Sequence, residues 1–152
     1  MKPVMKESEK MNQERASELI ELSIPLRSEY VGMIRLTVAS VANGMGFDIE
    51  SIEDIKVALS EACSNAIVHG GCSEEENFLV QLIREKERLV ISVSDFGKGY
   101  SVQSVQQPKL EELNEGGLGI FIIKSLMDDV KVKSGNGQGT SITMIKNLRE
   151  DA

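Results

Sequence analysis

One stretch near the middle of the chain, Ser60 to Gly70, constrains the fold more than any other. It reads SEACSNAIVHG and forms the second half of a predicted long helix that begins near Asp48. Apolar residues recur along this helix at the steps of three and four that make one continuous stripe: Ile52, Ile55, Leu59, Ala62 and Ala66. The pattern predicts a helix that packs one side against the core and ends at Gly70 and Gly71.

Two polar residues of this helix, Glu61 and Asn65, lie off the apolar stripe. They are four positions apart, so their side chains lie one turn apart on the same face. An exposed polar stripe is the commoner explanation of such a pair. The alternative is a metal-and-base pair, in which Asn65 holds Mg²⁺ through its carbonyl oxygen and Glu61 accepts a proton.

Length, composition and charge limit the classes of protein to which this chain can belong. The 152 residues predict one domain, residues 18–152, preceded by a polar and mobile tail, residues 1–17. The chain has no apolar run of membrane-spanning length and its first residues do not resemble a signal peptide, so we expect no membrane contact. A net charge of −7 argues against direct nucleic-acid binding. The two cysteines form no CxxC motif, which indicates a reducing cytoplasm.

The order of the remaining patterns predicts an α+β fold with two layers, in which helices cover one face of a mixed, largely antiparallel sheet. An edge strand is expected at Leu19–Leu26, followed by a helix with Ser28 as its N-cap. Alternating apolar residues then predict a hairpin: Phe78, Val80 and Leu82, then Leu89, Ile91 and Val93. A short helix opening at a glycine run, with an apolar set, precedes the last two strands: Leu118, Phe121, Ile122 and Leu126.

A second motif, Asp95-Phe-Gly97-Lys-Gly99, lies at the end of the second hairpin strand. Asp95 continues the alternating series of that strand, so its carboxylate is predicted to point toward the core. An inward carboxylate needs a hydrogen-bond donor or a ligand. The exocyclic amine of adenine is such a donor, and Gly97 and Gly99 would let the backbone approach the base.

The third motif, Gly116-Gly117-Leu118-Gly119, opens a helix whose free N-terminal amides suit phosphates. Mg²⁺ held by Asn65 would bridge those phosphates. Thr140 is expected on the same side as Asp95, bonding the base directly or through water. The polar segment 100–115 between the two glycine motifs is a predicted lid. Each motif alone could be a tight turn or a flexible helix entry, but their order and spacing together indicate a nucleotide site.

At these motifs the chain resembles the GHKL superfamily of ATP-binding proteins, whose three nucleotide boxes match SEACSNAIVHG, DFGKG and EGGLG. Within it, the chain resembles bacterial anti-sigma factor serine-protein kinases, especially the general-stress type. The similarity lies in EYVGMIRLTVAS, IEDIKVALSEACSNA and LNEGGLGIFIIKSLMDDV and covers roughly Leu19 to Leu148. It implies the Bergerat α/β sandwich with ATP and Mg²⁺ as cofactors.

The resemblance also implies a function. A protein of this type is a cytoplasmic homodimer in transcription regulation of the stress response. It binds a sigma factor and phosphorylates a serine or threonine of the anti-sigma-factor antagonist. Glu61 would orient or deprotonate the acceptor hydroxyl, and Arg35 occupies a position where relatives carry an arginine that touches partners.

One departure concerns the predicted lid. Sporulation kinases of the family carry an arginine just before the last glycine box, where this chain has Glu115, and no arginine lies within residues 100–115. Lys109, with Lys98, is then the nearby cation for the phosphates. A binding module that loads ATP without phosphoryl transfer is the alternative function. A sensor histidine kinase fragment is disfavoured because the sole histidine, His69, lies at a predicted helix end.

Overall fold

The computed structural model describes residues 17–70, 76–96, 117–135 and 139–149. Within these ranges the chain forms five strands and three α-helices. In chain order they are β1 (Ser17–Pro25), α1 (Val31–Met45), α2 (Ile49–His69), β2 (Asn77–Glu85), β3 (Arg88–Ser94), α3 (Gly117–Leu126), β4 (Asp129–Gly135) and β5 (Gly139–Asn147).

The five strands form one sheet in the order β1-β2-β3-β5-β4, with β1 at an edge as its sequence predicts. All four pairings of the described strands are antiparallel, so the sheet that we expected to be mixed contains no parallel pair among them. The register places Val93 opposite both Val80 and Ile142. The α+β class is confirmed.

The core lies between one face of the sheet and the helices. Alternate residues of the strands and one stripe of each helix are buried: Phe78, Val80, Leu82, Leu89, Ile91, Val93, Ile142 and Met144 from the sheet, and Ile34, Val38, Ala42, Ile55, Leu59, Ala62, Ala66, Ile120 and Ile123 from the helices. The helix α2 contacts α1, α3, β3 and β5. None of the described helices combines the length and apolar character that crossing a membrane requires.

The ends of the helices α1 and α2 differ in how they are capped. Ser28 is not a helix cap, because it opens a short 3-10 turn, Ser28–Tyr30, and no side chain caps that turn or α1. The helix α1 ends at Gly46, whose φ of 95° is in the left-handed region. Asp48 caps α2 by accepting a hydrogen bond from the Ser51 amide at 2.7 Å, which lowers the pKa of its carboxyl.

The short helix α3 buries a different face from the apolar set that we predicted. Gly119, Ile120 and Ile123 are its buried residues, whereas Leu118 and Phe121 are 44% and 57% exposed. The inward side of α3 contains a glycine, which the apolar pattern could not mark as buried. The apolar set therefore does not mark the buried face, although a helix does begin at the glycine motif.

A buried cation, Lys146, joins three elements. Only 4% of its surface is exposed, and its Nζ donates a hydrogen bond to the Leu126 carbonyl oxygen at the end of α3, at 2.6 Å. The same Nζ lies 3.6 Å from Oδ2 of Asp54 on α2. Lysine is rarely buried unless it is paired, and this one ties β5 to both helices.

We expect Lys146→Met to lower the free energy of unfolding by about 1–3 kcal/mol, because the Leu126 carbonyl loses its donor. Urea denaturation followed by circular dichroism measures this change. Lys131→Met, at an exposed position of β4, is the matched control and should shift stability by no more than about 0.5 kcal/mol. Equal stability of the two variants would show that the Lys146 contacts contribute nothing.

Candidate functional site

The second half of α2 presents two of the predicted site residues. Asn65 is only 7% exposed, so an exposed polar stripe does not describe it. Glu61, one turn earlier, is half-buried. Between them Cys63 faces the core, and its burial raises the pKa of the thiol to about 12, so the thiol stays protonated at neutral pH.

Asp95 lies just beyond the end of β3 and points inward as predicted, with 7% of its surface exposed. The backbone amide of Asp95 donates to the carbonyl oxygen of Thr140 at 2.9 Å. In return, the Thr140 amide donates to Oδ1 of the Asp95 carboxylate at 3.2 Å. The structure thus brings Asp95 and Thr140 into direct contact, and the hydroxyl of Thr140 lies 3.0 Å from that of Ser134.

Gly139, at the start of β5, packs against the backbone carbonyl group of Asp95. Its φ of 74° is in the left-handed region, which glycine adopts without steric cost. A Cβ at this position would lie 2.2 Å from the Asp95 carbonyl oxygen and 3.0 Å from Cα of Phe96. Nothing in the sequence pattern signals the contact of this glycine with Asp95.

The glycine motif of α3 meets Glu61. A Cβ on Gly119 would lie 3.1 Å from Oε2 of Glu61 and 3.9 Å from its Cβ. The first turn of α3, which contains Gly117 and Leu118, therefore lies beside the polar face of α2. Backbone amides at a helix start favour anions.

Several predicted site residues lie outside the described ranges: Gly97, Gly99, Lys109, Gly116 and the predicted lid, residues 100–115. Arg35 lies on α1 and is exposed, on a different element from the residues gathered around α2.

A cleft of about 330 Å³ opens at the ends of β3, β4 and β5, beside Asp95 and Thr140. Much of its lining comes from side chains on the sheet face away from the helices, including Ser94, Lys133 and Ser141. No residue of α2 lines it. The cleft borders the candidate site, and we do not assign it to the adenine base.

The donor chemistry of this region fits a magnesium ion. The described residues contain no cluster of three or more His, Cys, Asp or Glu side chains that could hold a metal. Mg²⁺ often binds through one or two protein oxygens and completes its shell with water and substrate phosphates. The carboxamide oxygen of Asn65 is a ligand of that kind.

Comparison with known sequences assigns the chain to a family. The profile of the histidine kinase-like ATPase domain matches residues 24–146. The chain belongs to this family. The serine-protein kinase RsbW of Bacillus pumilus (strain SAFR-032) is 38% identical over 141 residues, covering 86% of this chain and 87% of the relative. RsbW of Bacillus subtilis (strain 168) is 37% identical over 142 residues, covering 87% of each chain.

These similarities confirm the resemblance to the serine-protein kinases of this superfamily, and the ATPase domain implies ATP binding. A solved structure that contains the RsbU and RsbW domains of a Mycobacterium tuberculosis protein matches the fold with a TM-score of 0.66. It is 20% identical to this chain, and the match covers 89% of this chain and 34% of the other. That likeness shows the fold alone.

Replacing Asp95 by asparagine should weaken ATP binding by about 1–3 kcal/mol, the range for a lost hydrogen bond to a buried partner. The shape of the side chain is retained, so the fold should remain. Isothermal titration calorimetry measures the affinity, and Asp129→Asn, at an exposed position of β4, is the control for loss of a carboxylate elsewhere on the domain. Unchanged nucleotide affinity in Asp95→Asn would remove the adenine-reading role.

Proposed function

We propose that this chain is an anti-sigma factor and ATP-dependent serine/threonine-protein kinase that phosphorylates the antagonist of that anti-sigma factor. The observation that carries the proposal is the position of Glu61. It lies one helical turn from the buried Asn65 and against Gly119 at the start of α3. A carboxylate beside a phosphate-binding helix start is placed to meet an incoming hydroxyl.

The reaction transfers the γ-phosphoryl group of ATP to a serine or threonine oxygen of the partner protein. The bond from phosphorus to the β–γ bridging oxygen breaks, a bond to the hydroxyl oxygen forms, and Glu61 accepts the hydroxyl proton. ADP leaves with the bridging oxygen. Such transfers depend on positioning and charge neutralisation more than on covalent help from the protein.

The adenine end of the nucleotide is assigned to Asp95, with Thr140 beside it. The hydrogen bond from the Thr140 amide to Oδ1 supports this assignment, because it fixes the orientation of the Asp95 carboxylate. Gly97 and Gly99 would border the base, and Gly116, Gly117, Leu118, Gly119 and Lys109 the phosphates. Residues 100–115 would close over them as a lid.

Magnesium completes the proposed site. Asn65 would hold the ion, which would neutralise charge on the phosphates. No lid arginine exists in residues 100–115, so Lys109 and the metal would share that neutralisation.

The partners proposed are a sigma factor and an anti-sigma-factor antagonist, with the domain acting as a cytoplasmic homodimer. The exposed side of α1 supports a partner role for Arg35. Beside this exposed arginine, Met33 and Leu36 are 47% and 73% exposed, so apolar side chains adjoin the arginine on this surface.

An ATP-loaded binding module is the alternative. It would need the nucleotide site and the α1 surface, but it would not need a carboxylate one turn from the metal ligand. The presence of Glu61 at that place favours the kinase.

Substitutions of Glu61 and Asn65 should separate ATP binding from phosphate transfer. Glu61→Gln keeps the shape and removes the proton acceptor, so phosphate transfer should slow by about 10²–10⁴-fold while ATP affinity stays near that of the parent protein. Asn65→Ala removes the metal ligand and should lower Mg²⁺-dependent ATP binding. Transfer of labelled phosphate from ATP to the antagonist, together with calorimetry with and without Mg²⁺, measures both.

The control for Glu61 is Glu50→Gln, an exposed carboxylate in the first turn of the same helix. Full transfer by Glu61→Gln would mean that another residue is the base. A parent protein that captures a sigma factor with ATP and never transfers phosphate would establish the binding module instead.

Arg35→Ala should weaken capture of the sigma factor or the antagonist without changing ATP affinity, because α1 carries none of the proposed nucleotide contacts. Pull-down with each partner, beside calorimetry with ATP, tests this. Arg84→Ala, another exposed arginine on β2, is the matched control. Capture of both partners at the parental level would assign Arg35 to the solvated surface.

A further inference from the structure

Gly70, the residue that ends α2, lies directly against Asp95. A Cβ on Gly70 would lie 2.5 Å from Cβ and 2.8 Å from Cγ of Asp95, distances that real side chains do not adopt. It would also lie 2.2 Å from the carbonyl oxygen of Ala66. The end of the helix that carries Asn65 therefore touches the Asp95 side chain itself.

A left-handed backbone does not account for glycine at this position. The φ and ψ of Gly70 are −94° and −2°, in the right-handed region that any residue adopts. Its amide donates to the Ala66 carbonyl at 2.7 Å, and because a Cβ on Gly70 would lie 2.2 Å from the same oxygen, this helix end also excludes a side chain. Glycine is needed here for space and not for a left-handed turn.

The contact adds a restraint on Asp95 to those from β5. Thr140 holds the Asp95 amide and Oδ1, and Gly139 packs against its carbonyl. These contacts fix the positions of the Asp95 main chain and of one of its carboxylate oxygens. Gly70 meets Cβ and Cγ, so it sets how closely the side chain approaches α2.

We propose that Gly70 is a positioning residue for Asp95, fixing its carboxylate at the distance from α2 at which it selects the adenine amine. The proposal rests on the proposed function of Asp95 as the adenine reader. A larger residue at position 70 moves Asp95 or the helix end, so the carboxylate no longer meets the exocyclic amine while the phosphate contacts of the nucleotide remain.

The test compares ATP with purine riboside triphosphate, which lacks the exocyclic amine. Both carry the same triphosphate, so effects on phosphate or metal binding cancel in the ratio of their dissociation constants. The parent protein should prefer ATP by about tenfold or more, as expected for a lost hydrogen bond to a buried carboxylate. In Gly70→Ala this ratio should fall toward one.

Two glycines of α1 provide matched controls. A Cβ on Gly32 or Gly44 would meet no atom within 4 Å, so Gly32→Ala and Gly44→Ala should retain the parental ratio. A Gly70→Ala variant that loses affinity for both nucleotides equally has only a structural defect, and this overturns the positioning role. The same holds if the ratio does not change.

Failure of the proposed function gives a different result. If the parent protein does not distinguish the two nucleotides, or Asp95→Asn still does, Asp95 is not the adenine reader and the proposal for Gly70 falls with it. If Asp95→Asn loses the preference and Gly70→Ala keeps it, only the proposal for Gly70 is overturned.

If Gly70→Ala does not fold, a second substitution shows whether the contact with Asp95 is the cause. Asp95→Gly removes the atoms that the new Cβ would meet on the strand side. Recovery of folding in the Gly70→Ala, Asp95→Gly double variant supports the direct contact. Failure of both variants to fold assigns Gly70 to the Ala66 carbonyl and the helix end, and overturns the positioning role.

Discussion

The burial of α2 against the sheet is the constraint on which the site depends. Its apolar stripe packs over β3 and β5, and the helix also contacts α1 and α3. Because the stripe fixes the rotation of the helix, Asn65 must turn toward the interior and Glu61 toward α3. The polar pair therefore takes its orientation from the hydrophobic side of the same helix.

The sequence predicted those parts of the fold that depend on periodicity. Steps of three and four placed the inward residues of α2, and alternation placed those of β2 and β3. Asp95 followed from the same argument, since a strand residue in an odd-numbered apolar series shares its direction. The Asp48 cap was also foreseeable, because aspartate before a helix with acidic first-turn residues is a local signal.

The parts that could not be predicted depend on contacts between distant segments. Ser28 has the chemistry of a cap, but tertiary packing begins the helix after a 3-10 turn. The inward face of α3 is set by its approach to α2 at Gly119, which hydrophobicity does not mark. Lys146 reads as a surface residue, and only the fold places the Leu126 carbonyl within its reach. Position along the chain carries no information about these distances.

Three glycines allow close packing at the site because they have no side chain. Gly70 and Gly139 bring α2 and β5 against Asp95, and Gly119 brings α3 against Glu61. Close approach of this kind sets geometry more firmly than long polar side chains can, since backbone atoms have no rotamers to choose between. Phosphoryl transfer depends on the placement of its groups to within a fraction of an ångström. Replacing any of these three glycines therefore changes distances between proposed functional groups, even though the glycines themselves take no part in the chemistry.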